Sequence, residues 1–185
     1  MQTRKSIFLV SFLFFLSIST FAQEITFPLI FGWKFRKVGT NDEWLMANVP
    51  GTIYTDLFKN GKIPDPFIGC NNVNLGWVDE TDWEYQLKFK IDEYAFKNRH
   101  VDLVFEGLDT YADVYINDKL VLNADNMFRK WVINSEKLLI PGENSIRIVF
   151  KSALNQVKQK SKEIPYTLPG GEWAFVRKSP YHFGW

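Results

Sequence analysis

Along WEYQLKFKI, residues 83–91, Trp83, Tyr85, Leu87, Phe89 and Ile91 alternate without a break with Glu84, Gln86, Lys88 and Lys90. Side chains on an extended chain point to opposite faces in turn. The alternation therefore predicts a half-buried strand with an aromatic and aliphatic inner face and a charged, solvent-facing outer one. SIRIVF, residues 145–150, repeats the pattern with Ile146, Ile148 and Phe150 on one face, after PGEN, residues 141–144, a turn cluster that breaks any helix. VDLVFEGL and YADVYINDKLVL predict two more strands, the second folding back at Asn117-Asp118. Asn and Asp accept the positive φ of a tight hairpin, though less readily than Gly.

Helical signals are few. Thr52 is placed to cap a short helix carrying Ile53, Leu57 and Phe58, which Gly61 ends. SALNQVKQKSKEIP, residues 152–165, is polar and fits either a short helix or a solvated connector closed by Pro165. There is no internal repeat and no low-complexity segment. Short strands separated by turns, with almost no amphipathic helix, predict an all-β sandwich.

The first 22 residues break from this picture. Arg4 and Lys5 precede an apolar run from Ile7 to Ile18, and Thr20-Phe21-Ala22 follows with the small residues two apart that a signal peptidase accepts. The run holds 12 residues, where a bilayer-spanning helix needs about 20. A secretory signal peptide over 1–22, cleaved near Ala22, is the expectation, with a mature domain over 23–185 exported to the periplasm or beyond the cell. Without the leader the balance is 20 Lys and Arg against 21 Asp and Glu. Near neutrality argues against nucleic acid or an anionic membrane as partner. Cys70 is the single cysteine, so no internal disulfide can form and packing must supply the stability.

Aromatic residues make up 17% of the chain, and five of its 17 Phe belong to the leader. Large rings fill sandwich cores, and they also stack on the apolar faces of sugar rings.

Local constellations offer no chemistry of their own. Asp79, Glu80, Asp82 and Glu84 form the densest acid cluster, yet the alternation puts Glu84 on a solvent face and the others in the turn before it, where nothing local would raise a carboxyl pKa. Cys70 with His100 or His182 is the only thiol pair available and matches no nucleophile signature. No two His stand at ligating spacing, there is no CxxC, and PGG at 169–171 follows no strand-to-helix pattern, so no metal and no cofactor is expected.

VPGTIYTDLFKNGKIPDPFIGCN, DWEY, GLDTYADVYIND, NMFRKW and FVRKSPYHFGW, in this order and at these intervals, resemble the N-terminal domain of β-mannosidases in glycoside hydrolase family 2. The similarity runs from Trp33 to Trp185. Val49-Pro50-Gly51 and GLDTYADVY are shared with family 2 β-galactosidases and β-glucuronidases, whereas NMFR and the RK…YHFGW ending favour β-mannosidase. Asn71-Asn72 stands where many relatives carry Asn-Glu, Asn117-Asp118 where Asn-Gly is common, and the connector from Ser152 to Phe175 is shorter than in some.

The resemblance implies a jelly-roll β-sandwich of the galactose-binding-like type. It also implies immunoglobulin-like domains and a TIM barrel farther along the polypeptide, the barrel holding an acid/base and a nucleophilic glutamate that release terminal β-mannose with retention. On that carry-over no catalytic residue lies in this chain, which alone would be inactive. His182, Phe183, Gly184 and Trp185 are its nearest approach to a substrate site. The implied partners are β-mannosides or manno-oligosaccharides and the downstream domains. The residues agree in kind, since rings with a few polar groups suit a sugar and Gly184 lets the flanking rings turn apart. Phe183 and Trp185 pack equally well against a neighbouring domain, as interfaces also favour aromatics. A free-standing carbohydrate-binding module and another family 2 glycosidase are the competing readings.

Overall fold

A computed structural model describes residues 25–93, 100–166, 168–169 and 174–179. Eight strands form two antiparallel sheets: β1 (Lys34–Lys37), β2 (Leu45–Met46), β3 (Trp83–Ile91), β4 (Asp102–Phe105), β5 (Tyr111–Ile116), β6 (Lys119–Ala124), β7 (Trp131–Asn134) and β8 (Gly142–Lys151). The larger sheet runs β2-β1-β3-β8-β5-β6, and β4 pairs with β7 in the smaller. Helices α1 (Ile53–Lys59), α2 (Gly76–Asp79) and α3 (Ala153–Ser161), with one 3-10 turn, lie outside the sheets. The all-β sandwich expected from the alternation is the fold that forms.

The inner faces are those the sequence marks. Trp83, Tyr85 and Leu87 of β3 and Ile146 and Ile148 of β8 are buried together with Phe35, Val114 and Leu57. Leu103, Phe105 and Trp131 of the smaller sheet close onto the same core. Phe35 stacks on Tyr85 with ring centroids 5.6 Å apart, and Phe150 meets Tyr85 edge-on at 5.6 Å. These are the offset and T-shaped geometries that ring quadrupoles favour.

The ends of the elements follow local chemistry. Thr52 caps α1 with a reciprocal capping box to Thr55, and the helix stops at Asn60. The hairpin between β5 and β6 turns at Asn117 and Asp118, with φ of 47° and 64°. The polar stretch after Ser152 resolves as the helix α3, with the Ser152 hydroxyl accepting from the Asn155 N–H. Strand β8 begins at Gly142, inside the PGEN cluster, because Gly142 to Asn144 already pair with Ile91 to Phe89. The turn itself is tied by Asn144, whose Nδ2 donates to the Ile140 carbonyl at 2.6 Å and whose Oδ1 accepts from the Ile140 N–H.

Glu84 corrects the expectation of an exposed outer face on β3: it is buried. Cross-strand neighbours cover it, with Arg36 Nε 2.6 Å from Oε1 and Arg147 Nη1 3.6 Å from Oε2. Each arginine also lies over a ring, Arg36 on Trp44 and Arg147 on Tyr115. A row of ring, cation, anion, cation and ring thus crosses the outside of the sheet. A single strand's alternation cannot reveal it, since the neighbours supply the cover.

Candidate functional site

The antiparallel order brings the start of β3, the end of β8, the start of β5 and the end of β6 to one end of the larger sheet. Phe105 opposite Trp131 shows that the smaller sheet contributes the end of β4 and the start of β7. GLDTY, NMFR and FVRKS, distant in sequence, each occupy a loop at this end.

Residues 174–179 are seated there by contacts of several kinds. The Tyr111 hydroxyl donates to the Phe175 carbonyl at 2.9 Å. Val176 is buried against Tyr111 and Val157 of α3. Arg177 forms a parallel bridge with Asn126, and its carbonyl accepts from the Met127 N–H at 3.0 Å. The Ser179 N–H points at the Met127 sulfur at 2.9 Å. The Met127 carbonyl in turn lies close to Gly107, where a Cβ would stand 3.3 Å from it.

Lys178 is the polar centre of the seat. Its side chain is 12% exposed, and its amine lies 2.5 Å from Asp109 Oδ2. The other Asp109 oxygen accepts from the Thr110 hydroxyl. Lys178 also acts on Asp79, at the end of α2. Burial raises the Asp79 pKa above the ordinary carboxyl range, while the hydrogen bond from Tyr54 and the charge of Lys178 pull against that rise. Tyr54, on α1, donates to Asp79 Oδ2 at 2.8 Å, and burial followed by this bond pushes the phenol's pKa up. Tyr54, Asp79, Lys178 and Asp109 therefore join α1, α2, the loop before β5 and the final described segment in one polar cluster. Each carboxylate is committed to a donor, an arrangement suited to anchoring and not to proton transfer at a glycosidic bond.

Beside this cluster, Asp56 of α1 is fully buried. Its Oδ1 accepts from the Asn48 backbone N–H and Nδ2, both at 3.0 Å, and Oδ2 from the Tyr85 hydroxyl at 3.3 Å. It ties the Val49-Pro50-Gly51 turn to β3. At Gly51 a Cβ would overlap the Asn48 carbonyl, which accounts for glycine in that turn.

A broad cleft of about 2330 Å³ opens along the layers, with Tyr54, Asp79, Asp109 and Lys178 in its wall beside Phe27 and Phe67. Phe27, Phe31 and Phe67 are 75%, 82% and 86% exposed.

His182, Phe183, Gly184 and Trp185 lie outside the described residues, as does the leader 1–22. Of the acid cluster, Asp79 departs from the expected solvated turn, being half-buried and bonded by the Tyr54 hydroxyl of α1. Asp82 accepts from the Ser152 N–H at 2.7 Å. Glu80 is exposed and pairs with Lys158 at 3.1 Å. Cys70 is exposed and free. His100, also exposed, sits between Asp102 and Glu136, 3.0 Å from each; the Glu136 hydrogen bond, then the Asp102 charge, raises its pKa. Among the described residues no group of His, Cys, Asp and Glu is arranged to hold a metal ion. The sequence reading assigned no role to Tyr54, Asp56, Asp109 or Lys178, although each stands inside one of the stretches that carried the resemblance.

Residues 33–185 match the family described as the glycosyl hydrolase 2 galactose-binding domain-like domain. β-Mannosidase B of Emericella nidulans is 36% identical over 163 residues, covering 83% of this chain and 19% of its own length. A probable β-mannosidase of Caenorhabditis elegans is 35% identical over 158 residues, covering 75% and 17%. The crystal structure of a β-D-mannosidase from Dictyoglomus thermophilum superposes with a TM-score of 0.81 at 38% identity, over 85% of this chain and 20% of that one. An exo-chitosanase of Amycolatopsis orientalis, at 21% identity and a TM-score of 0.61 over 69% of this chain and 17% of its own, shares the fold. The chain spans about a fifth of the length of the relatives it matches.

Proposed function

The chain belongs to the glycosyl hydrolase 2 galactose-binding domain-like family, and on that premise we propose that it is the N-terminal portion of an exported β-mannosidase. The enzyme releases terminal β-mannose from the non-reducing end of mannosides with retention. This domain supplies no catalytic glutamate. Its part is to present His182, Phe183, Gly184 and Trp185 at the edge of a pocket whose reacting groups belong to a downstream barrel. The observation that supports the reading is the seating of residues 174–179, which precede those four in the sequence, by the GLDTY and NMFR loops.

The exposed rings of Phe27, Phe31 and Phe67 fit the same picture. Apolar surface of that kind on a domain one-fifth the length of its relatives is cover for later domains of the same polypeptide. The leader 1–22 directs export.

The test is the complete reading frame, expressed with its leader and assayed on β-mannosides, β-galactosides and β-glucuronides, with the anomer of the first-formed product read by NMR. The expected result is β-mannoside turnover giving the β-anomer first, from secreted protein that begins near Gln23. Turnover of a β-galactoside or β-glucuronide alone would move the chain to another family 2 activity, and mannan binding without turnover would make it a binding module.

A further inference from the structure

Three arginines among the described residues lie over aromatic rings: Arg36 on Trp44, Arg147 on Tyr115, and Arg129 on Trp131 with its guanidinium carbon 4.6 Å from the ring centre. The first two share Glu84 as their carboxylate. Arg129 is exposed, and among the described residues it pairs with no acid. Glu106, the acid that reaches this loop from β4, is paired with Lys130 at 3.0 Å. The residue after it, Gly107, has no side chain to offer, and Asp125, at the start of the loop, is exposed and makes no ion pair among the described residues. A guanidinium stacked by its face keeps the N–H groups of its edge free, in the planar fork that matches a carboxylate.

The loop holds this arginine ready. The Asn126 side chain accepts from the Phe128 N–H at 2.9 Å, and Met127 is tied to Arg177 and Ser179. Trp131 packs on the core, yet its Nε1 is buried without a hydrogen-bond partner among the described residues. A phenyl ring would fill that place and leave no donor unpaired. What the indole adds is the ring face that attracts a cation most strongly. Phe128, beside Arg129, is 67% exposed. Arg177, on the segment bridged to Asn126, is a second exposed cation at the same loop. Aromatic rings and arginines are the side chains on which protein interfaces depend most.

We propose that Phe128 and Arg129 form a docking point for a later domain of the same polypeptide: the ring enters an apolar contact, and the guanidinium takes the carboxylate of an Asp or Glu in that domain. This rests on the reading of the chain as the N-terminal portion of a longer enzyme, which its span of about a fifth of its relatives' length supports. The occupant completes at Arg129 the arrangement of ring, cation and anion that Glu84 completes at Arg36 and Arg147. A protein surface suits the pair better than a small acid does, because a small acid would leave Phe128 uncovered.

The experiment uses the protein of the complete reading frame with R129K, R129M and F128A. In R129K, zero-length carbodiimide coupling followed by peptide mass spectrometry identifies the carboxylate that lies against position 129. The expected result is a link to an Asp or Glu beyond residue 185. Amide exchange in the linked downstream segment is then expected to quicken about 10-fold in R129M and F128A, and R129K to keep most of the wild-type protection. The response of the downstream segment separates docking from a local effect on the loop. A link only to Asp125 or to another residue of 23–185, no link at all, or unchanged downstream exchange in R129M overturns the proposal. A link to a second copy, recognised by mixing isotope-labelled and unlabelled protein, overturns it too. So does protection of the loop by glucuronate that R129M abolishes, which would assign the arginine to an acidic ligand. A wild-type protein inactive on β-mannosides would instead overturn the functional reading, and the link would still decide the docking.

Discussion

Arg36 Nε lies 2.6 Å from Glu84 Oε1, a buried carboxylate on the face of β3 that points away from the core. With Arg147 3.6 Å from the other oxygen, Glu84 separates two guanidinium groups that would otherwise face each other across the sheet. Glu84→Ala is therefore expected to destabilise the fold by about 2–3 kcal/mol. That is less than the roughly 3–5 kcal/mol for a fully buried pair, because the arginine side chains are 27% and 30% exposed. Urea unfolding of the chain measures it. A loss within about 0.5 kcal/mol, typical of a solvated surface position, would return Glu84 to the exposed role that its alternation suggests.

Asp56 holds three donors at once, and it is the link between the turn before α1 and the core strand β3. Asp56→Ala leaves the buried Tyr85 hydroxyl without this acceptor and frees the more exposed Asn48 donors to water, so a loss of about 2–3 kcal/mol is expected. Tyr85→Phe, which removes only one of them, is expected to lose about 1 kcal/mol. Equal losses for the two variants in urea unfolding would show that the network does not centre on Asp56.

Asp79 carries a pH dependence of defined sign. Its folded-state pKa is raised, chiefly by burial, so the folded chain binds this proton more tightly than the unfolded chain does. The associated stability is fully present below the ordinary carboxyl pKa and is lost as pH rises through the raised value. Asp79→Asn keeps an acceptor for the Tyr54 hydroxyl but has no proton to lose. Its stability relative to wild type is expected to improve between pH 4 and pH 7, as read by urea unfolding at both. A difference that is flat, or that favours wild type more at pH 7, would contradict the assignment.

The strands of the core were legible wherever one strand carried its own alternation. WEYQLKFKI and SIRIVF name β3 and β8, and Asn117-Asp118 marks the hairpin, because period and turn chemistry are local properties. The short strands β1 and β7, four residues each, escape such a reading. They are too brief to show a period and are defined by the ladders they join. Glu84 and Asp79 were misjudged for a related reason, since burial of an outward or turn residue depends on which distant side chains arrive beside it. The seat of residues 174–179 was legible only as motifs. GLDTY, NMFR and FVRKS can be listed from the sequence, but that Asp109, Met127 and Lys178 meet follows from sheet order.

The account stands most directly on a comparison of this chain, residues 23–185, with the polypeptide of the complete reading frame, each purified and assayed on p-nitrophenyl β-mannoside at matched concentration. The complete polypeptide is predicted to release p-nitrophenol and the isolated domain to release none, while remaining folded by circular dichroism. Turnover by the isolated domain, or none by the complete polypeptide, would contradict the claim that this sandwich frames a sugar that groups elsewhere cleave.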